Sequence, residues 1–248
     1  MGWTKRLWVC GMLFVTAAVP ASGAEAIASD GMTLGMGDVS FRLDGIEAPA
    51  LDQTCLDERG AVWACGIEAR KRLATLITNQ RVGCHDSGPA AGYPNKRLGI
   101  CWVEGDDLSL NQRLVREGWA LNLEPSAKGR FKADQDEAQD NGRGLWKGCF
   151  TAPSDLARWN KSKAKLRGLA CGGATSQKTR DLIFPDQPAM PPGCTIKGIL
   201  ALRAKMTGHR GVYHVEHCRS YARAKWPNRW FCSEEDAQAA GFRKSFNC

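Results

Sequence analysis

No stretch of this 248-residue sequence is apolar for long enough to cross a membrane. The longest such run, LWVCGMLFVTAAV at 7–19, has 13 residues, where a helical span needs roughly 20. No internal repeat recurs, which argues against a solenoid or propeller. Strand and helix patterns do not alternate regularly, which argues against a doubly wound parallel sheet. Histidine is scarce, with 4 in the chain, and three of them (His209, His214 and His217) fall after residue 193.

What is present starts with an address. Lys5 and Arg6 precede the apolar run, and PASGAEA (20–26) supplies small residues for cleavage, most simply after Ala24. This is the form of a secretory signal peptide, residues 1–24, and it implies a secreted or periplasmic protein. An uncleaved anchor is the alternative, and the shortness of the run counts against it. Without Lys5 and Arg6, 32 basic residues face 26 acidic ones, a net charge of +6. That excess suits nucleic acid or another polyanion, and equally a merely basic exported protein. Of 11 cysteines, Cys10 lies in the apolar run; the other ten are Cys55, Cys65, Cys84, Cys101, Cys149, Cys171, Cys194, Cys218, Cys232 and Cys248. An even number in an exported chain points to disulfides, whose connectivity sequence alone leaves open.

MTLGMGDVSFRLDGI (32–46) reads as a hairpin. Val39, Phe41 and Leu43 alternate with Ser40, Arg42 and Asp44, the period of a half-buried strand, and Gly37-Asp38 is a favoured two-residue turn. CGIEARKRLATLI (65–77) reads as a helix with Ile67, Leu73, Ala74 and Ile77 on one stripe. QRVGC (80–84) and RLGICWV (97–103) read as strands; paired antiparallel, they bring Cys84 opposite Cys101. A second helix starts near Ser109, which has capping-box spacing to Gln112, and stops at Gly118. A third runs over about 130–141. The expected class is α+β with a small barrel. Later, ARWNKSKAKLRG (157–168) is either a solvated helix face or a basic binding patch. FPDQPAMPPG (184–193) reads as linker, and 194–248 as a separately stapled module.

DGMTL, FRLDGIEAP with DQTC, WACGIEARKRL, RLGICWV, SLNQRLVREGWAL and GRGLWKGCF occur in the order and spacing of the staphylococcal-nuclease family, and residues 28–153 resemble it. The resemblance implies a five-stranded OB-type barrel with three helices over residues 25–160; composition makes 161–193 a basic, Pro-rich linker. It also makes Cys55 with Cys65 and Cys84 with Cys101 the first pairings to expect. Active members use Ca²⁺ to cut DNA and RNA. Metal-assisted hydrolysis needs hard oxygen ligands and a general base, and guanidiniums to clamp the phosphoryl oxygens. Arg42 matches the first family arginine. Glu47 stands for a metal-binding aspartate, one methylene longer. Met32 stands where a second metal aspartate is expected, and a thioether suits Ca²⁺ poorly. Ala50 replaces the glutamate that serves as base. Lys96 or, one residue on, Arg97 falls at the second arginine. Asp30, Asp44 and Asp52 form an alternative metal set or are turn residues.

The segment YHVEHCRSYARAKWPNRWFCSEEDAQAAGFRKSFNC (213–248) resembles a small module seen after secreted nuclease domains. It is also similar to the zinc-holding domain of the Ada DNA-repair family, with Ser245 in place of one cysteine. Zinc could be rebuilt from Cys218, Cys248 and His214 or His217; in an oxidising compartment, disulfides among Cys194, Cys218, Cys232 and Cys248 are favoured. Arg219, Arg223, Trp226, Arg229 and Trp230 form a candidate nucleic-acid surface, against the alternative of core aromatics with solvated flanks. SEEDAQAAGF reads as an N-capped helix ended by Gly241. Three readings follow: a degenerate nuclease that binds nucleic acid or another polyanion, an active metal-dependent phosphodiesterase, and an envelope protein linked to surface polysaccharide.

Overall fold

A computed structural model of the chain describes residues 25–123, 129–158, 161–171, 177–201 and 208–248. The expected signal peptide, with Cys10 and the cleavage point, lies outside the described residues. Strands β1 (Ala26–Ala28), β2 (Thr33–Met36) and β3 (Val39–Leu43) form an antiparallel meander. The β2–β3 turn is Gly37-Asp38, with Met36 opposite Val39, as the alternation requires. The short strands β4 (Ile46–Glu47), β5 (Cys55–Leu56) and β6 (Val62–Trp63) lead into helix α1 (Cys65–Ile77). Strands β7 (Val82–Pro89) and β8 (Lys96–Val103) complete a five-stranded sheet of order β1-β2-β3-β8-β7. Cys84 and Cys101 are directly opposite in it.

The expected barrel needs one qualification. No pairing among the described residues joins β1 to β7, and β4 leaves the sheet to pair with β9 (Leu121–Asn122). The three expected helices are present: α1, α2 (Leu110–Arg116) and α3 (Lys132–Asp140). In α1 the buried face is Cys65, Ala69, Leu73 and Ile77, a strict i, i+4 row, with Gly66 beside it. Ile67 and Ala74, expected on the stripe, are half-buried at its flanks. Ser109 caps α2 by accepting from the Gln112 N–H at 3.1 Å. The Gln112 side chain does not return to Ser109; it donates to Asp134 at 3.2 Å, so only half of the capping box forms. Gly118 ends the helix with φ +77°, and a Cβ there would sit 2.2 Å from the Arg143 carbonyl oxygen. The main core lies between the sheet and α1–α2: Leu34, Leu43, Ile46, Leu73, Leu110 and Leu114 are all almost fully buried. Each such side chain stabilises the fold by about 1.5–3 kcal/mol.

Residues 161–193 differ most from expectation. The described ones, 161–171 and 177–193, are bonded to the first domain rather than running as a tether. Strand β10 (Phe150–Thr151), helix α4 (Pro153–Arg158), strand β11 (Leu166–Arg167) and helix α5 (Gln177–Ile183) follow in order, and β10 pairs with β11. Ile183 and Phe184 are wholly buried with Leu56, Cys149, Leu156 and Ala164, and a Cys149–Cys171 disulfide staples the segment. Of the basic stretch, Ala157 and Arg158 end α4, Lys161 and Ser162 lie in a turn, Ala164 is buried, and Leu166–Arg167 is strand. The linker expectation came from the four prolines of FPDQPAMPPG (184–193), which say nothing of the remote residues that bury Ile183 and Phe184.

The C-terminal module is a four-stranded sheet of order β14-β12-β13-β15, from β12 (Ile196–Leu200), β13 (Gly211–His214), β14 (Arg229–Phe231) and β15 (Phe242–Lys244). Helix α6 (Glu234–Ala239) is capped by Ser233, which accepts from the Asp236 N–H at 3.1 Å. Tyr213, Phe231 and Phe242 form the module's core. Disulfides join Cys55 to Cys65, Cys84 to Cys101, Cys194 to Cys232 and Cys218 to Cys248, besides Cys149 to Cys171. Five disulfides fit an oxidising or extracellular compartment. Among the described residues no helix is long and apolar enough to cross a membrane.

If 161–193 is structural, Ile183→Ala lowers unfolding free energy by about 2–5 kcal/mol in chemical denaturation. A tether position would cost less than about 0.5 kcal/mol.

Candidate functional site

The site is built on the β2–β3 hairpin and the segment after it. Arg42, on β3, turns off the apolar face as its alternation requires. Its Nη1 approaches Thr33 Oγ1 at 3.4 Å and Asp30 Oδ2 at 3.8 Å. Its guanidinium lies 4.2 Å from the centre of the Tyr93 ring. Lys96 lies over the same ring at 4.6 Å. The parallel β3–β8 register explains this: Ser40 is opposite Lys96 and Arg42 opposite Leu98. Residues of the two strands two apart share a face, so Lys96 joins Arg42. Arg97 points the other way and pairs with Asp86. The structure therefore brings Lys96, not Arg97, beside Arg42.

Met32 occupies the centre. Its Sδ accepts from Arg42 Nη2 at 3.3 Å and from the Ala48 N–H at 3.4 Å. Asp30 is committed locally, accepting from the Met32 N–H at 2.7 Å and from Thr33 Oγ1 at 2.9 Å. Glu47 accepts from the Ser154 N–H at 3.0 Å and from Ser154 Oγ at 3.3 Å. That N–H is a first-turn donor of α4 without an intrahelical partner. Burial pushes the Glu47 carboxyl above the ordinary glutamate range, against the opposing pull of the Ser154 hydrogen bonds and of Arg167. Ala50 offers no donor or acceptor side chain, and its carbonyl lies so close to α1 that a Cβ at Gly66 would sit 1.8 Å from it.

Ca²⁺ fits this arrangement poorly. It asks for six to eight oxygens. Asp30 and Glu47 already accept hydrogen bonds at both of their oxygens, and the Met32 sulfur held by the Arg42 guanidinium lines the same cavity. Asp44 pairs with Arg130 at 3.5 Å and Asp52 with Arg229 at 2.6 Å, so the alternative set of Asp30, Asp44 and Asp52 is split among separate partners. Among the described residues no three His, Cys, Asp or Glu side chains are placed to share a metal ion. In the module, Cys218 and Cys248 are bonded to each other and the His214 Nδ1 is 2.8 Å from Ser220 Oγ, so the zinc set is not assembled.

The C-terminal module closes over the cleft. Arg229 Nε and Nη2 meet the Asp52 carboxylate at 2.6 and 2.8 Å, and the Trp230 N–H donates to it at 3.1 Å. Both charged side chains are almost fully buried, at 5% and 2% exposure. Acidic α6 then lies on Lys96, with Asp236 at 3.3 Å and Glu235 at 3.7 Å, and Asn95 donates to Glu235 at 2.5 Å. Between them remains a cavity of about 230 Å³ whose lining includes Asp30, Arg42, Glu47, Tyr93, Ser154 and Asp236. Arg229 and Trp230 are thus corrected from nucleic-acid surface to interior: Trp230 is half-buried and its Nε1 donates to the Pro188 carbonyl at 2.9 Å. Arg219, Arg223 and Trp226 are exposed. The sequence reading missed Tyr93, Ser154, Glu235 and Asp236, and did not see Asp52 as the module's anchor. The acidic start of SEEDAQAAGF was visible, but nothing local pairs it with a lysine 140 positions away.

A five-stranded sheet with three helices thus gathers Arg42, Lys96 and Tyr93 beside the Asp30 carboxylate in an α+β domain. The family described as Staphylococcal nuclease homologue matches residues 40–148. The "Succinoglycan biosynthesis protein ExoI" of Rhizobium meliloti (strain 1021) is 31% identical over 132 residues, which cover 53% of this chain and 67% of that protein. The chain belongs to the Staphylococcal nuclease homologue family.

Two outcomes test the site. Because the folded state raises the Glu47 pKa, charging it costs stability: the cost is absent below the ordinary glutamate range and complete above the raised value. Glu47→Gln, which keeps an acceptor for Ser154, raises the melting temperature at about pH 8 and not at about pH 4; equal gains at both would rule out charge as the cause. Arg229→Ala strands the Asp52 charge and costs about 3–5 kcal/mol in denaturant unfolding, whereas Asp52→Leu with Arg229→Met recovers most of it.

Proposed function

We propose that this protein is an exported, degenerate member of its family that binds nucleic acid or another polyanion with little or no hydrolysis. The observation that carries this reading is the Met32 sulfur held by Arg42 and the Ala48 N–H. It puts a soft, uncharged acceptor where hydrolysis calls for hard anions around a metal. Ala50 leaves the general base absent, which by itself typically costs about 10²–10⁴ in rate.

Two other readings each have one observation in favour. The cavity gathers Asp236 with Arg42 and Glu47, which supports a phosphodiesterase that recruits its second carboxylate from the module. The printed name of the relative, a succinoglycan biosynthesis protein, supports an envelope role tied to surface polysaccharide.

Cleavage of labelled single-stranded DNA in Ca²⁺, Mg²⁺ or chelator separates them. The proposal expects no metal-dependent product, and a Ca²⁺-dependent gain when Met32→Asp is combined with Ala50→Glu. Chelator-sensitive cleavage by the unaltered protein that Arg42→Ala abolishes would establish the active enzyme instead. Absent or salt-insensitive DNA binding would favour the envelope role, since phosphate contacts weaken as salt rises.

A further inference from the structure

The module's sheet has two faces with different fates. In register, Gly198 sits between Tyr213 and Arg229, and Lys197 between His214 and Trp230. Successive residues of a strand point to opposite faces. The face with Tyr213 and Arg229 is closed, because it packs α6 and carries the ion pair to Asp52. The other face, with Lys197, Ile199 and His214, is only partly covered by the segment after Cys218. Lys197 Nζ donates to the Tyr221 carbonyl at 3.2 Å and lies 3.9 Å from the centre of its ring. Ser220 Oγ bridges the His214 Nδ1 at 2.8 Å and Ser245 Oγ at 3.1 Å. These bonds fix the segment and leave a hollow of about 360 Å³, lined by Ile199, His214, Ser220, Arg223, Lys225 and Trp226 with Ala224.

The chemistry of this hollow is the reverse of the cleft's. In the cleft, Arg42 and Lys96 face the carboxylates of Asp30, Glu235 and Asp236. None of the described residues lining the hollow is acidic. Arg223 and Lys225 are exposed, and Trp226 presents 67% of its surface to solvent, against the habit of large aromatic residues. An exposed indole beside two cations gives a stacking plane with positive charge next to it. That is the composition with which single strands are held: bases stack on the aromatic and phosphates meet the cations.

We propose that the C-terminal module binds single-stranded nucleic acid on this face, with Trp226 stacking a base and Arg223 and Lys225 contacting neighbouring phosphates. This rests on the polyanion-binding reading above and assigns that binding to one face of the module.

The test is fluorescence anisotropy of a labelled oligo-dT with the whole protein in chelator, over a salt series. Trp226→Ala is expected to weaken binding by about 5- to 150-fold. Arg223→Ala with Lys225→Ala lowers the slope of log K against log salt by about 1.4, two phosphates' worth for a single strand. Arg81→Ala, an exposed cation of the first domain, leaves affinity unchanged. These side chains are solvent-exposed, and unchanged melting temperatures confirm that the variants fold. Binding lost in Arg42→Ala and retained in the module variants places the site in the cleft and overturns the proposal while leaving the polyanion reading intact. Absence of oligo-dT binding, with salt-sensitive binding of polygalacturonate, overturns the nucleic-acid occupant. Electrophoresis of parallel samples in Ca²⁺ reads cleavage separately, so a failure of the non-hydrolytic reading is seen independently of where the strand binds.

Discussion

The arrangement of this molecule depends on one buried ion pair, Asp52 with Arg229. The Asp52 carboxylate accepts two guanidinium bonds and a third from the Trp230 N–H. Charge-assisted, bidentate pairs of this kind fix orientation as well as distance. A buried pair is not by itself strong evidence of stability, because desolvation offsets the attraction. Its consequence is geometric: β14 is held against the loop between β4 and β5, and α6 follows β14 after only two residues. The acidic start of α6 therefore has one place to lie, which is on Lys96.

That contact changes the electrostatics of the cleft. The sheet places Arg42 and Lys96 around Tyr93 as a pair of cations. The module answers with Glu235 and Asp236, and Asp30 answers from the hairpin. Glu47, which could have contributed a further anion, is turned toward Ser154 and kept from ionising easily by burial. The cleft is thus a largely self-satisfied polar network, with a thioether at its centre where a metal site would need anionic oxygen. Exposed positive charge stands instead at Arg223 and Lys225, on the segment that partly covers the module's other sheet face.

Residues 161–193 make this docking durable. A flexible tether of that length would leave the module free to sample many positions, and two surfaces so joined would meet only in proportion to their local concentration. Here the segment is stapled through Cys149–Cys171 and buries Ile183 and Phe184, so Pro188, just beyond, can accept from the Trp230 indole. The module is positioned from both ends, by the segment before it and by the ion pair within it.

Much of the local structure was legible in the sequence, because short-range rules govern it. The β2–β3 hairpin follows from strict alternation around Gly37-Asp38, α1 from an uninterrupted helical window, and the caps of α2 and α6 from Ser109 and Ser233. The opposition of Cys84 and Cys101 follows from pairing the strands that carry them. That Met32 and Ala50 carry no carboxylate was equally legible, since they are what they are in any fold. Three matters were decided only by the tertiary structure. Whether Lys96 or Arg97 faces Arg42 depends on the β3–β8 register. Whether Arg229 and Trp230 bind a ligand or anchor a module depends on Asp52, 177 positions away. Whether 161–193 is linker or core depends on a cluster drawn from five separate parts of the chain. In each case the deciding partner is remote in sequence, and no periodicity or spacing within a window of residues carries information about which remote surface a side chain will meet.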